Sequence, residues 1–165
     1  YYEQCLQLER EIGFRYAEAH TLQVYGETLL ALNVLDQAAD TFRQALALRR
    51  ELEQATMHLL PPQLGLVHVA YLQQEMALAQ TQLLALLPAL MTHQLDGLGD
   101  PFGLYWRCYG LLVAYQDPRA PQILALAYQL LQEQADKIPD ADSRQSFLQN
   151  VPEHRELVRA MAKLI

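Results

Sequence analysis

One pattern recurs along this chain and restricts what it can fold into. Leu22, Tyr25, Gly26 and Leu29 are spaced large-x-x-large-small-x-x-large, and after a short break Ala38, Phe42 and Ala45 follow Ala-x-x-x-Phe-x-x-Ala. Either spacing puts its residues on one face of a helix. Small residues at 26, 38 and 45 let two helix backbones approach closely, while Tyr25, Leu29 and Phe42 fill the remaining space. The first half returns as Trp106-x-x-Tyr109-Gly110-x-x-Val113, and the second as Ala120, Leu124 and Ala127. Between them lies a weaker copy, Leu66-x-x-Val69-Ala70. A helical hairpin of this kind cannot bury both its apolar faces alone, so hairpins must stack.

With 165 residues, 52% of them apolar, the chain can bury a core and has room for about four hairpins. Periodicity and breakers predict helices over residues 1–11, 15–33, 35–54, 63–73, 76–93, 101–115, 118–138, 140–150 and 152–164. Gly13 ends the first and Asp36 caps the third. The Pro61-Pro62 pair restarts the chain before the fourth, and Pro88 kinks or splits the fifth. Asp100-Pro101 and Asp117-Pro118 open the sixth and seventh, each an acceptor side chain followed by a first-turn proline. Residues 94–100, with Gly97 and Gly99, form the expected mobile loop. The predicted fold is all-α: about nine helices in antiparallel pairs, forming a right-handed superhelix. It is one domain over residues 1–165, with residues 139–165 as capping helices. The chain begins in mid-helix and reads as a piece of something longer, so self-association through a face left open near Tyr1 is expected as a consequence of truncation.

Charge and composition exclude several classes of function. Twelve Lys and Arg stand against 19 Asp and Glu, a net charge of -7 with no face on which cations gather, which argues against nucleic acid. No apolar run reaches the roughly 18 residues of a membrane span. Cys5 and Cys108 lie far apart in a chain without a secretory leader and read as reduced thiols of a cytoplasmic protein. Gly97-Leu98-Gly99 follows a helix and lacks the lysine of a phosphate loop. Histidines 20, 58, 68, 93 and 154 include no pair three or four apart, so no metal or cofactor is expected. Ser143 and Ser146 lie in no nucleophile elbow, and Glu51 and Glu53 fall on different helix faces. The expectation is a binding module and not an enzyme.

The spacing resembles that of the tetratricopeptide repeat. In that family the concave groove is lined by first helices at fixed offsets from the motif. Carried onto this chain, those offsets select His20, Gln23, Glu27 and Leu30; Leu64, Val67, Tyr71 and Gln74; and Leu104, Arg107, Leu111 and Ala114. The set is apolar with a few polar handles, which suits an extended peptide or an amphipathic helix. No lysine and asparagine set of the carboxylate-clamp type occupies these sites.

Further motifs extend the resemblance. Leu95-Asp96-Gly97, Pro101, Tyr105, Cys108-Tyr109 and Asp117-Pro118-Arg119-Ala120 are joined by a run from Ser146-Phe147-Leu148 through Asn150-Val151-Pro152 to His154-Arg155-Glu156. Together they resemble the carboxyl-terminal repeat region of large bacterial signalling ATPases and transcriptional activators. The resemblance implies a sensor or scaffold arm in signal transduction or transcription regulation. Its partner would be a protein segment, the parent protein's own ATPase domain among the candidates, with any ATPase or cyclase activity held in another domain. The alternative it implies is a small-molecule inducer site in the same superhelix, for which a compact pocket around Tyr71, Trp106 and Arg107 would speak.

Overall fold

A computed structural model of the chain describes every residue except 93, 94, 96, 97 and 165. The described residues form nine helices and no strand: α1 Tyr2–Glu11, α2 Arg15–Ala31, α3 Leu35–Glu51, α4 Thr56–Leu72, α5 Met76–Met91, α6 Pro101–Ala114, α7 Ala120–Asp136, α8 Ala141–Gln149 and α9 Pro152–Ala162. They divide into two compact units, Tyr1–Leu87 and Pro88–Ile165. The expected mobile loop at 94–100, and the Gly97-Leu98-Gly99 segment with it, lie partly outside the described residues.

Backbone turns impose the repeat. After α1, α2, α3, α4 and α6 the chain turns through one left-handed residue: Gly13, Asn33, Glu53, Gln74 or Gln116, with φ of 71°, 59°, 50°, 65° and 53°. In each case that residue donates to a carbonyl three back and the next residue to one five back, for example Asn33 N to Leu30 O and Val34 N to Leu29 O. This pairing satisfies the last carbonyls of the helix. Along the first four helices these turns are evenly spaced, and the helices recur in step with them. α4 is the counterpart of α2, each 17 residues long, and α5 is the counterpart of α3. The repeat from Arg15 at the start of α2 to Thr56 at the start of α4 is longer than the roughly 34 residues typical of a tetratricopeptide hairpin.

In the first unit α2 packs on α1, α3 and α4, and α3 packs on α4. The ring of Phe42, with no exposed surface, sits between two glycines. A Cβ added at Gly26 would lie 2.7 Å from Phe42 Cε1, and one at Gly65 would lie 2.5 Å from Phe42 Cζ. Gly26 makes the close approach its spacing predicts, and Gly65 makes the same approach from α4. Asp36 lies within the first turn of α3, whose N-cap is Val34, and accepts from Gln73 Nε2 at 3.0 Å. It favours the helix through its charge at the positive end of the dipole, not as a cap.

Prolines depart from expectation. α4 starts at Thr56 and runs through Pro61 and Pro62 instead of restarting after them. Each proline removes a donor from the helix, leaving the Met57 and His58 carbonyls without their usual partners, at about 3 kcal/mol apiece. Burial of Leu60, Pro61 and Pro62 in one turn offsets this. At Pro88, of the two expected outcomes, the split does not occur: α5 is one helix from Met76 to Met91, and the boundary between the two units falls within it at Leu87–Pro88.

The second unit pairs α6 with α7 and sets α9 against both, with α8 on α7 and α9. Its core takes Leu104, Tyr105, Cys108 and Leu112 from α6, Ile123, Leu124, Ala127 and Leu131 from α7, and Leu157 from α9, all without exposed surface. Asp100 caps α6 by accepting from Gly103 N at 2.9 Å, and Asp140 caps α8 by accepting from Ser143 N at 2.7 Å. Asp117-Pro118 does not open α7, which starts at Ala120 with Arg119 as N-cap. The Asp117 carboxylate instead accepts from the Arg119 backbone N–H at 2.9 Å and from its guanidinium at 2.7 and 2.8 Å, so the chain turns there before the helix begins.

Candidate functional site

In the first unit three helices leave a cleft of about 250 Å³. α3 contributes Leu46 and Arg50, α4 Gln63, Leu66 and Val67, and α5 Gln82, Ala85 and Leu86. Its floor is aliphatic, with Leu46 and Val67 buried and Leu66 and Leu86 half-buried, while Arg50, Gln82 and Ala85 are exposed at the mouth. The helical period explains why these residues line one cleft. Positions 46 and 50 of α3, and 82 and 86 of α5, are each one turn apart on a shared face, so the cleft runs along these faces from a buried aliphatic end to an exposed polar one.

A polar cluster is built into the same unit around Arg49, a side chain with only 6% of its surface exposed. Its Nη2 donates to Gln23 Oε1 at 2.7 Å and its Nη1 to Gln54 Oε1 at 2.8 Å. Gln23 Nε2 in turn donates to Glu27 Oε1 at 3.3 Å. Burial lowers the guanidinium's pKa, and the charge of Glu27 opposes that shift. The imidazole of His58 is also lowered, first by burial and then by the charge of Arg49. The cluster thus holds one cation, spread over α2, α3, α4 and the turn between the last two, with its neighbours oriented by it.

The predicted groove residues meet different fates. Gln23 and Glu27 are brought together with Arg49, and Leu30 is half-buried on the same helix, whereas His20 is exposed. Val67 lines the cleft; Leu64 is buried in the core. Tyr71 is half-buried with its ring edge-on to His68, and Gln74 occupies the left-handed turn beyond the end of α4. In the second unit Leu104 and Leu111 are buried. Arg107 is half-buried, its Nε donating to Gly103 O at 3.3 Å, and Ala114 is exposed.

Sequence reasoning passed over Arg49, His58 and Gly65. Arg49 had a signal: it stands four residues after Ala45, on the stripe that Ala38, Phe42 and Ala45 define, so helical spacing alone carries it inward. Gly65 had one too, since a glycine inside a helix needs a packing reason.

The motif residues of the second unit serve packing. Burial pushes the Cys108 thiol up to about 12, so it stays protonated and unreactive at neutral pH. Tyr105, similarly raised to about 12, donates its hydroxyl to Leu90 O at 3.0 Å. The hydrogen bond from Arg119 holds the Asp117 carboxyl down at about 2. His154 Nδ1 lies 2.7 Å from Phe147 O, and because a carbonyl only accepts, that nitrogen carries the proton. The His154 ring packs 4.5 Å from Phe102 and 4.4 Å from Phe147, tying α8 and α9 to α6.

Among the described residues no three His, Cys, Asp or Glu side chains gather as metal ligands, and no helix is long and apolar enough to cross a membrane. Comparison with protein-family models, with curated proteins and with solved structures finds no match.

Proposed function

We propose that this chain is a non-catalytic interaction module of the tetratricopeptide kind, a cytoplasmic sensor or scaffold arm of a bacterial signal-transduction or transcription regulator. On this reading the α3–α4–α5 cleft receives a peptide or helix from a protein partner. The cleft's make-up is the observation that carries the reading: an aliphatic floor of Leu46, Leu66, Val67 and Leu86 beneath the exposed guanidinium of Arg50 and the amides of Gln63 and Gln82. At about 250 Å³ it falls short of the roughly 300–1,000 Å³ that enclose a drug-sized ligand, which favours one or two inserted side chains over a whole inducer molecule. An apolar residue flanked by a carboxylate is the guest that this floor and rim would accept.

A displayed peptide library panned on the whole chain tests this. Selected peptides should carry a Leu, Ile or Phe next to an acidic residue. Arg50→Glu, a surface change, should weaken their binding roughly tenfold, about 1.4 kcal/mol. Peptides that bind Arg50→Glu and Leu66→Glu as well as the unaltered chain would overturn the assignment.

A further inference from the structure

Two rungs of the α4 hydrogen-bond ladder are missing where its first turn joins its second. Pro61 and Pro62 have no N–H to give the carbonyls of Met57 and His58, so residues 56–60 are joined to the rest of the helix less firmly than an unbroken ladder would join them. The counterpart α2 keeps both donors, with His20 and Thr21 at the matching positions and Ala17 in place of His58. Within residues 56–60 only Leu60 is buried; Thr56 is exposed, and Met57, His58 and Leu59 are half-buried. The proline pair thus marks a hinge, and one buried side chain holds the turn ahead of it.

His58 stands at the amino end of α4, where the helix dipole opposes a cation, and no acidic residue of that turn compensates. From α3 the buried Arg49 sets a positive charge against it. Gln54 of the preceding turn and Gln23 of α2 hold that guanidinium at 2.8 and 2.7 Å, and Glu27 of α2 acts on Arg49. The other charged groups at this end of α3 are exposed: Arg50, Glu53, and Glu51, which pairs with Arg15. Burial and then the Arg49 charge lower the imidazole pKa from its ordinary 6.5, so release of the ring into water takes up a proton as pH falls through that value.

We propose that residues 56–60 are a proton-operated latch: the neutral His58 ring lets the first turn of α4 close beside Arg49, and the protonated ring drives that turn outward about Pro61-Pro62. Beyond the prolines α4 stays packed through Leu64, Val67 and Val69, all buried, so the movement is confined to the α3–α4 turn. It does not depend on what occupies the cleft.

Trapping of a buried thiol tests the latch. Leu60, 2% exposed, lies in the first turn, and Leu64, 1% exposed, lies beyond the prolines. Leu60→Cys and Leu64→Cys, each in the whole chain, are treated with a thiol reagent at about pH 7.5 and about pH 5.5 and read at the substituted position by peptide mass, which keeps Cys5 and Cys108 apart from the result. The ratio of the two rates cancels the pH dependence of the thiolate. On acidification it should rise roughly fivefold to tenfold, since an opening that takes up one proton gains at most about tenfold per pH unit. With His58→Gln added it should stay flat. A flat ratio without His58→Gln, a rise that survives it, or equal acceleration at both positions would overturn the proposal. Should Leu60→Cys misfold, amide exchange of the unaltered chain stands in, read at Gln54 and His58, which donate to Arg49 O at 3.1 Å and Ala55 O at 2.9 Å. Corrected for intrinsic rate, their exchange should quicken in acid ahead of the rest of α4; exchange that does not would equally overturn the latch.

Discussion

The two units use the same dipeptide in opposite ways. Tyr25-Gly26 lies in the first unit where α2 meets Phe42, and Gly26 is buried because no side chain fits between the helices. Tyr109-Gly110 has the same spacing in the second unit, yet Gly110 is exposed with open space around it. There the buried stripe of α6 runs through Tyr105, Cys108 and Leu112, one position back from the motif. Spacing defines a face, and only the neighbouring helices decide whether that face is inside. In the first unit α3 packs against the motif face of α2; in the second, α7 and α9 pack on α6 and its buried residues lie beside the motif, not on it.

Changes in either unit sharpen this contrast. The largest effect should come from Phe42→Ala, which empties the space between Gly26 and Gly65. Neither glycine has a side chain to collapse into it, so the loss should be about 3–5 kcal/mol by denaturant unfolding. A loss below about 1 kcal/mol would show that the two glycines do not frame a rigid site.

Arg49→Met should cost about 2 kcal/mol, since it keeps the apolar stem but leaves Gln23 and Gln54 without their donor. An unchanged midpoint would mean that the cluster contributes only orientation.

Acid should separate the units. His58 has a folded pKa below its ordinary 6.5, so the fold favours the neutral ring; the stability this gives is present above 6.5 and declines as pH falls through and below it. Asp117 is held at about 2 against an ordinary 3.8, and its contribution lasts down to about pH 4 before fading toward pH 2. Melting temperatures between pH 8 and 2 should fall first near 6.5 and again below 4. His58→Gln should flatten the upper step and Asp117→Asn the lower; steps that ignore these changes would contradict the assignment.

Much of the fold was legible because helices of 14 to 17 residues ended by left-handed turns repeat their apolar period several times. Helix starts were harder. Pro61 and Pro62 read as a break because local propensity opposes them, and only their burial lets α4 run through them. Asp117 read as a cap because Asp-Pro usually is one; the adjacent Arg119 claims its carboxylate first. The groove candidates were legible in part. Their offsets come from the family's groove, and on these helices they land on surface at His20, in the cleft at Val67, in a turn at Gln74 and in a core at Leu104. Arg49 went unseen because a cation is expected outside, although its place on the stripe put it inside.

The contrast between Gly26 and Gly110 is tested most directly by thermal and denaturant unfolding of Gly26→Ala and Gly110→Ala side by side. Gly26→Ala should destabilise by about 1–3 kcal/mol, because the added methyl meets the Phe42 ring. Gly110→Ala should stabilise by about 0.5–1 kcal/mol, because an exposed helical glycine only adds freedom to the unfolded chain. Shifts of the same sign would contradict the account.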